Sequence, residues 1–272
     1  QTGTTTYRPP YTPVAIAAMG AGAQGKGFAP ERRTTSDQAS RKRGAPMIEA
    51  GLWYRPSYFP KGGERTWRES CDREVGWVRN AVGVTDVSTL GKIDIQGPDA
   101  GAFLDFVYTG TFSTLKPGRV RYGIMLREDG HVMDDGTTAR FSETHFVMTT
   151  TTANAGPVFR HMEFVRQCLC PEMDVQLIST TDAWAQYAVA GPNARALLQK
   201  IVDTEFDISN DAFPFMACGK ITVCGGLRAR LLPVHGTARR IASASGGSRS
   251  GTAWPFSTPQ TPAQARAVVH GL

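Results

Sequence analysis

Alternation of apolar and polar positions is clearest between Tyr122 and Asn154, which reads YGIMLREDGHVMDDGTTARFSETHFVMTTTTAN. Three runs there have the period of two that marks strands: Tyr122–Leu126, His131–Phe141 and His145–Thr151. Glu128-Asp129-Gly130 and Ser142–Thr144 supply the turns between them. Helical spacing predicts helices over Trp67–Ala81, over GPDAGAFLDFVY at Gly97–Tyr108, and over Ala155–Leu169. The expected apolar faces are Cys71, Val75 and Val78 in the first, with Arg68, Glu69, Asp72 and Arg73 towards solvent. They are Ala102, Phe103, Phe106 and Val107 in the second, and Val158, Met162 and Val165 in the third. Further strands are expected over Val84–Gln96, Asp174–Thr180, Trp184–Ala190, Lys220–Cys224 and Arg228–Leu232, the last two turned at Gly225-Gly226. Between Pro46 and Gly63, Trp53, Tyr54, Tyr58 and Phe59 are interrupted by Pro56 and Pro60. That stretch reads as an aromatic loop that caps a core or walls a pocket.

One pattern occurs twice. IQGPDAGAFLDFV at Ile95–Val107 recurs as VAGPNARALLQKI at Val189–Ile201, about ninety residues later. A strand, Gly-Pro and a helix in both places indicate a duplicated unit of one helix on an antiparallel sheet, hence an α+β fold.

The ends of the chain lack such periods. Gln1–Pro30 reads as a linker, rich in proline at YRPPYTP and in glycine at Gly20–Gly27. Glu31–Arg43 is basic without apolar spacing, as expected of a solvated arm. No acidic residue follows Asp211, and Pro233–Leu272 is mostly Ala, Ser, Arg, Gly and Pro, as in a disordered basic tail or an out-of-frame reading of a GC-rich gene. The organisation expected is a linker over 1–45, a folded unit over 46–232 and a tail over 233–272. The start at Gln1 without methionine points to an internal piece of a longer protein.

Composition narrows the class. Of 272 residues, 41% are hydrophobic and 20% charged, as in folded water-soluble proteins. No apolar run approaches the ~18 residues that span a bilayer. The net charge of +6 sits mainly in Arg32–Arg43 and after Asp211, without interleaved aromatics, so nucleic acid is not the expected partner. The five cysteines are odd in number and show no CxxC pair or zinc spacing, which fits reduced thiols, a cytoplasmic setting and no metal.

The candidate chemistry is the pair Asp134-Asp135. Aspartate is depleted in strands, and two in succession on a regular strand point to opposite faces. One then faces the core or a cavity, where an unpartnered carboxylate is costly. Their place within a strand weighs against two solvated turn residues; the residues alone leave open whether either is functional.

These segments resemble the folate-binding aminomethyltransferase family, which includes the T-protein of glycine cleavage and the folate parts of sarcosine- and dimethylglycine-oxidising enzymes. The resemblance rests on YRPPYTP, GLWYRPSYFPKGGE at Gly51–Glu64, REVGWVRNAVGVTDVSTLGKIDIQGPDA at Arg73–Ala100, Arg121–Ala155, WAQYAVAGPNARALLQ at Trp184–Gln199 and FPFMACGKITVCGG at Phe213–Gly226. Within the family these stretches are similar to the C-terminal part of the α subunits of heterotetrameric sarcosine oxidases. The resemblance implies the family's duplicated fold, incomplete at the C-terminus, and tetrahydrofolate as the ligand. It further implies β, γ and δ partner subunits, with FAD or FMN and NAD held by the complete assembly. Flavin would oxidise sarcosine, and tetrahydrofolate would capture the one-carbon unit as 5,10-methylenetetrahydrofolate. Asp135 corresponds to the aspartate that assists transfer, and Tyr122, Asp134, Asp135 and Thr151 are the implied folate contacts. The family's later Ser/Thr-Gly-Glu…Tyr-Glu motif and barrel have no match in Pro233–Leu272, so weak folate binding and no activity are expected of the chain alone. A non-catalytic folate-binding module and the inactive product of a damaged gene are the alternatives.

Overall fold

The computed structural model describes residues 32–234 and a two-residue strand, Trp254–Pro255. The linker expected before residue 31 and nearly all of the expected basic tail lie outside the described residues. The chain is α+β, with its strands in several separate sheets.

The largest sheet has five strands in the order β6-β7-β8-β5-β9. These are β5 (Gly91–Gln96), β6 (Arg119–Leu126), β7 (Val132–Ser142), β8 (His145–Thr150) and β9 (Gln176–Ser179), and all neighbours run antiparallel. The three strands expected between Tyr122 and Thr151 are therefore present, because their alternation places every second side chain on one covered face. That face carries Ile93, Ile95, Met125, Phe146 and Met148, all at most 1% exposed. Helices α3 (Ala100–Val107) and α4 (Ala155–Phe164) bring Phe103, Leu104, Val107, Val158 and Met162 into the same cluster. Beyond α4 the helix widens into a π turn, Val165–Leu169, which keeps Val165 buried and closes on Cys170.

Around this sheet sit smaller units. Strands β2 (Met47–Ala50) and β3 (Trp53–Pro56) form a hairpin, with β1 (Arg32–Arg33) parallel to β3. The aromatic loop is thus largely a hairpin, and its Trp53 and Phe59 are buried, the core role. Strand β4 (Gly83–Asp86) pairs with β10 (Tyr187–Ala190) and with β13 (Trp254–Pro255). Strands β11 (Gly219–Val223) and β12 (Leu227–Leu231) form a hairpin turned at Gly225-Gly226, both glycines having positive φ. The repeated motif is visible as β5–α3 and as β10–α5, where α5 is Ala194–Leu198. Both of its glycines have positive φ, 142° at Gly97 and 123° at Gly191, and a Cβ at either would collide with a backbone carbonyl.

Four expectations are corrected. The arm over 31–43 is folded from Arg32 on: α1 (Asp37–Lys42) buries Asp37 and Ser40, and Ser36 donates to the buried Asp86 carboxylate. In α2 (Trp67–Asn80) the inward residues are Ser70, Glu74 and Val78, while Val75 is exposed. Glu74 points in because its carboxylate accepts the Phe59 N–H at 2.7 Å, a bond that hydrophobic spacing does not reveal. In α3, Leu104 replaces Ala102 and Phe106 on the buried stripe. The run Val84–Gln96 is two strands in two sheets, broken by a turn closed by Leu90 N–H to Val87 C=O.

The α3 correction is measurable. Phe103→Ala should cost about 3–5 kcal/mol of unfolding free energy, and Phe106→Ala under about 0.5 kcal/mol, in denaturant titrations. Similar losses at both positions would contradict this packing.

Candidate functional site

The two aspartates lie where β7 changes how it is held. Between β7 and β8 the paired register runs from Ser142–His145 to Thr138–Met148 and stops there. Beyond Thr138, side chains take over. The Thr149 hydroxyl accepts from the Thr137 N–H at 3.1 Å and donates to the Thr137 carbonyl at 3.2 Å, with the Thr137 hydroxyl 3.0 Å away. At Gly136 the strands press together, since a Cβ there would collide with the Thr149 carbonyl oxygen. On its other side β7 keeps its ladder with β6, pairing Asp135 with Ile124 and Asp134 with Met125.

The expectation of opposite faces is met. Asp134 lies on the covered side with Met125 and is 5% exposed. Its carboxylate accepts from the Thr151 hydroxyl at 2.7 Å, the Thr151 N–H at 3.1 Å and the Asn154 amide at 3.2 Å. Asn154 also donates to the Met133 carbonyl at 2.9 Å. Asp135 lies on the other, open face, half-buried, and its carboxylate takes no hydrogen bond from any described residue. Below the strand, burial pushes the Tyr108 phenol well above its ordinary pKa, and the charges of Asp134 and Asp135 add to the rise.

The open face reads as a row. Register places Tyr122 against Thr137, Thr137 against Thr149 by its hydroxyl bond, and Thr149 against Lys92. Tyr122 and Ile124, on edge strand β6, are 50% and 41% exposed. Strands about 4.8 Å apart give this row the width of a bicyclic ring with its substituent. One end of the face is closed by the β11–β12 hairpin. Arg230 reaches the buried Asp94 at 3.3 Å, and its guanidinium stacks 4.4 Å from the Trp184 ring centroid. Burial would raise the Asp94 carboxyl pKa, but bonds from Gln96 and His145 and the charge of Arg230 hold it below its ordinary value.

Of the four residues expected at the site, the fold brings Tyr122 and Asp135 together on the open face. Asp134 and Thr151 meet each other instead, at the end of β8.

A family model described as GCVT N-terminal domain matches residues 37–234. The chain belongs to that family. Its relatives include the protein named sarcosine oxidase subunit alpha from Rhizobium meliloti (strain 1021), 52% identical over 89% of this chain and 24% of that protein. The protein of the same name from Corynebacterium sp. (strain U-96) is 43% identical over 85% of this chain and 24% of its own length. An aminomethyltransferase of Streptomyces coelicolor is 32% identical over 65% of this chain and 44% of its own. The chain thus spans about a quarter of the sarcosine oxidase α subunits it matches. The solved aminomethyltransferase T of the Bartonella henselae glycine cleavage system superposes with a TM-score of 0.58, at 24% identity, over 69% of this chain and 46% of that one. That likeness shows the fold alone.

In this GCVT N-terminal domain chain, three residues that shape the site are not singled out by periodicity. Thr137 falls inside the expected strand His131–Phe141 and Asn154 just before the expected helix Ala155–Leu169. Lys92 falls inside the expected strand run Val84–Gln96, yet it is 5% exposed, its Nζ donating to the Ser88 and Leu90 carbonyls at 2.9 and 2.8 Å. The turn at Val87–Leu90 folds back to supply those carbonyls, and a lysine near the start of a strand gives no sign of that. Among the described residues no helix is long and apolar enough to cross a membrane.

Burial pushes the Lys92 pKa down to about 8 from 10.5, against the raising influence of Asp86 and Asp182. Between about 8 and 10.5 the unfolded chain holds a proton that the folded chain has released, so this group makes stability rise with pH there. The unfolding free energy of the wild type relative to Lys92→Met should therefore increase from about pH 8 to about pH 10.5. A flat difference across that window would show that Lys92 is not desolvated.

Proposed function

We propose that this chain is the folate-binding, one-carbon-transfer part of a sarcosine oxidase α subunit. The observation that carries the reading is Asp135: a carboxylate on an open sheet face, without a hydrogen-bond donor among the described residues, beside an exposed aromatic ring. Relatives named sarcosine oxidase subunit alpha, aligned over most of the chain, support the same reading.

The residues present fit a reduced pterin. Such a ring offers N–H donors to a carboxylate and a flat face to an aromatic side chain. Asp135 would accept those N–H groups, Tyr122 and Ile124 would cover the ring, and the Thr137 and Thr149 hydroxyls would border it. Tetrahydrofolate would supply the two amine nitrogens that take up the carbon of the imine formed from sarcosine, giving 5,10-methylenetetrahydrofolate as the bond to the former sarcosine nitrogen breaks and glycine leaves. Asp135 orients the attacking amine, receives its proton and stabilises positive charge on the incoming carbon. A carboxylate already held by three protein donors, as Asp134 is, has less capacity for this.

The wider setting belongs to the same proposal. The folate unit occupies residues 46–232, with 32–45 packed against it. Sarcosine oxidation is the work of a flavin-bearing β subunit. The γ and δ subunits and NAD belong to the complete cytoplasmic assembly.

In the assembled oxidase, Asp135→Ala should lower methylene transfer to tetrahydrofolate about 100-fold or more while sarcosine oxidation persists. Product analysis for 5,10-methylenetetrahydrofolate against sarcosine consumption checks this. Unchanged coupling would remove Asp135 as the working carboxylate.

A further inference from the structure

We propose that Asp134 is a positioning residue that fixes the strand segment carrying Asp135 and does not itself contact the ligand. This rests on the role proposed above for Asp135, while the clamp itself is a feature of this chain's geometry.

Past Thr138, β7 is held on the β8 side by side chains that lie on both sides of Asp135 along the strand. The Thr149 hydroxyl holds Thr137 by its N–H and its carbonyl. Asp134 holds the other end through Thr151 and Asn154, and Asn154 bonds again to the Met133 carbonyl. Asp135 lies between the two. Asn154 is also the residue from which α4 starts, with the Val158 N–H bonded to its carbonyl at 2.8 Å. The carboxylate of Asp134 thus ties β7 to the end of β8 and to the first turn of a helix whose Val158 and Met162 are fully buried. Charge-assisted bonds of this kind are stronger than neutral ones, and a buried carboxylate without them would be costly. Its acceptor capacity is turned inward. Losing the clamp would leave the segment attached by the β6 ladder and Thr149, and Asp135 free to shift. A displacement of about 1 Å at a catalytic group can cost on the order of 100-fold.

The test uses single and double variants of the assembled oxidase. Asp134→Ala should lower the kcat of methylene transfer about 10- to 100-fold with little change in KM for tetrahydrofolate. Added to Asp135→Ala it should cost nothing further, because the residue it positions is gone. Asp134→Asn, which keeps an acceptor oxygen for Thr151, should recover most of the rate. A rise in KM with unchanged kcat would make Asp134 a ligand contact and overturn the proposal, as would losses that multiply in the double variant. Hydrogen exchange on this chain provides a readout independent of folate. The amides of residues 134–137 should exchange about 10-fold faster in Asp134→Ala, and measurably faster in the milder Thr151→Val. Unchanged exchange in both would overturn the clamp. If Asp135→Ala leaves transfer intact, the functional reading falls and exchange alone decides the clamp.

Discussion

The site depends on a change of partner along one strand. As far as Thr138, β7 is paired with β8 in a regular register. Beyond it, the Thr149 hydroxyl and the Asp134 carboxylate supply the bonds that backbone pairing would have made. This arrangement keeps the Asp134 carboxylate inward and bonded, while the Asp135 carboxylate points outward without a hydrogen bond from a described residue. A strand puts neighbours on opposite faces by geometry alone. The consequence is that the Asp134 carboxylate is consumed by structure, while the Asp135 carboxylate takes no bond from a described residue.

That division requires the sheet to be covered on one side and open on the other. The covered side holds the apolar cluster built around Phe103, Phe112, Phe146 and Met148, each at 0% exposure. The open side is only partly closed. Arg230, stacked on Trp184 and paired with Asp94, brings the β11–β12 hairpin over one end and leaves Tyr122, Ile124 and Asp135 accessible. Lys92, its ammonium tied to the carbonyls of Ser88 and Leu90, ends the row on the side away from Tyr122.

Much of this was legible in the residues, and the limits have physical causes. The strands between Tyr122 and Thr151 were legible because a half-covered antiparallel sheet imposes period two. The opposed aspartates followed from the same rule. Which of them faced inward was not legible, because that depends on Thr151 and Asn154 arriving from the next two elements. Resemblance favoured Asp135, and its open-face position is compatible with that preference. Helix faces were read less well: Glu74 is buried by a backbone donor from a distant loop, and Phe106 is exposed although its neighbours are core. Arg32–Arg43 looked solvated because its burial is polar, through Ser36 and Asp37, and hydropathy does not register satisfied polar groups.

The central claim is that Asp135, and not Asp134, meets the ligand on the open face. A crystal structure of the assembled oxidase with a bound tetrahydrofolate analogue tests it most directly. The account predicts a ring nitrogen within about 3.2 Å of the Asp135 carboxylate, the ring against Tyr122, and Asp134 still bonded to Thr151 and Asn154. A pterin held by Asp134, or seated away from the open face of the five-stranded sheet, would contradict it.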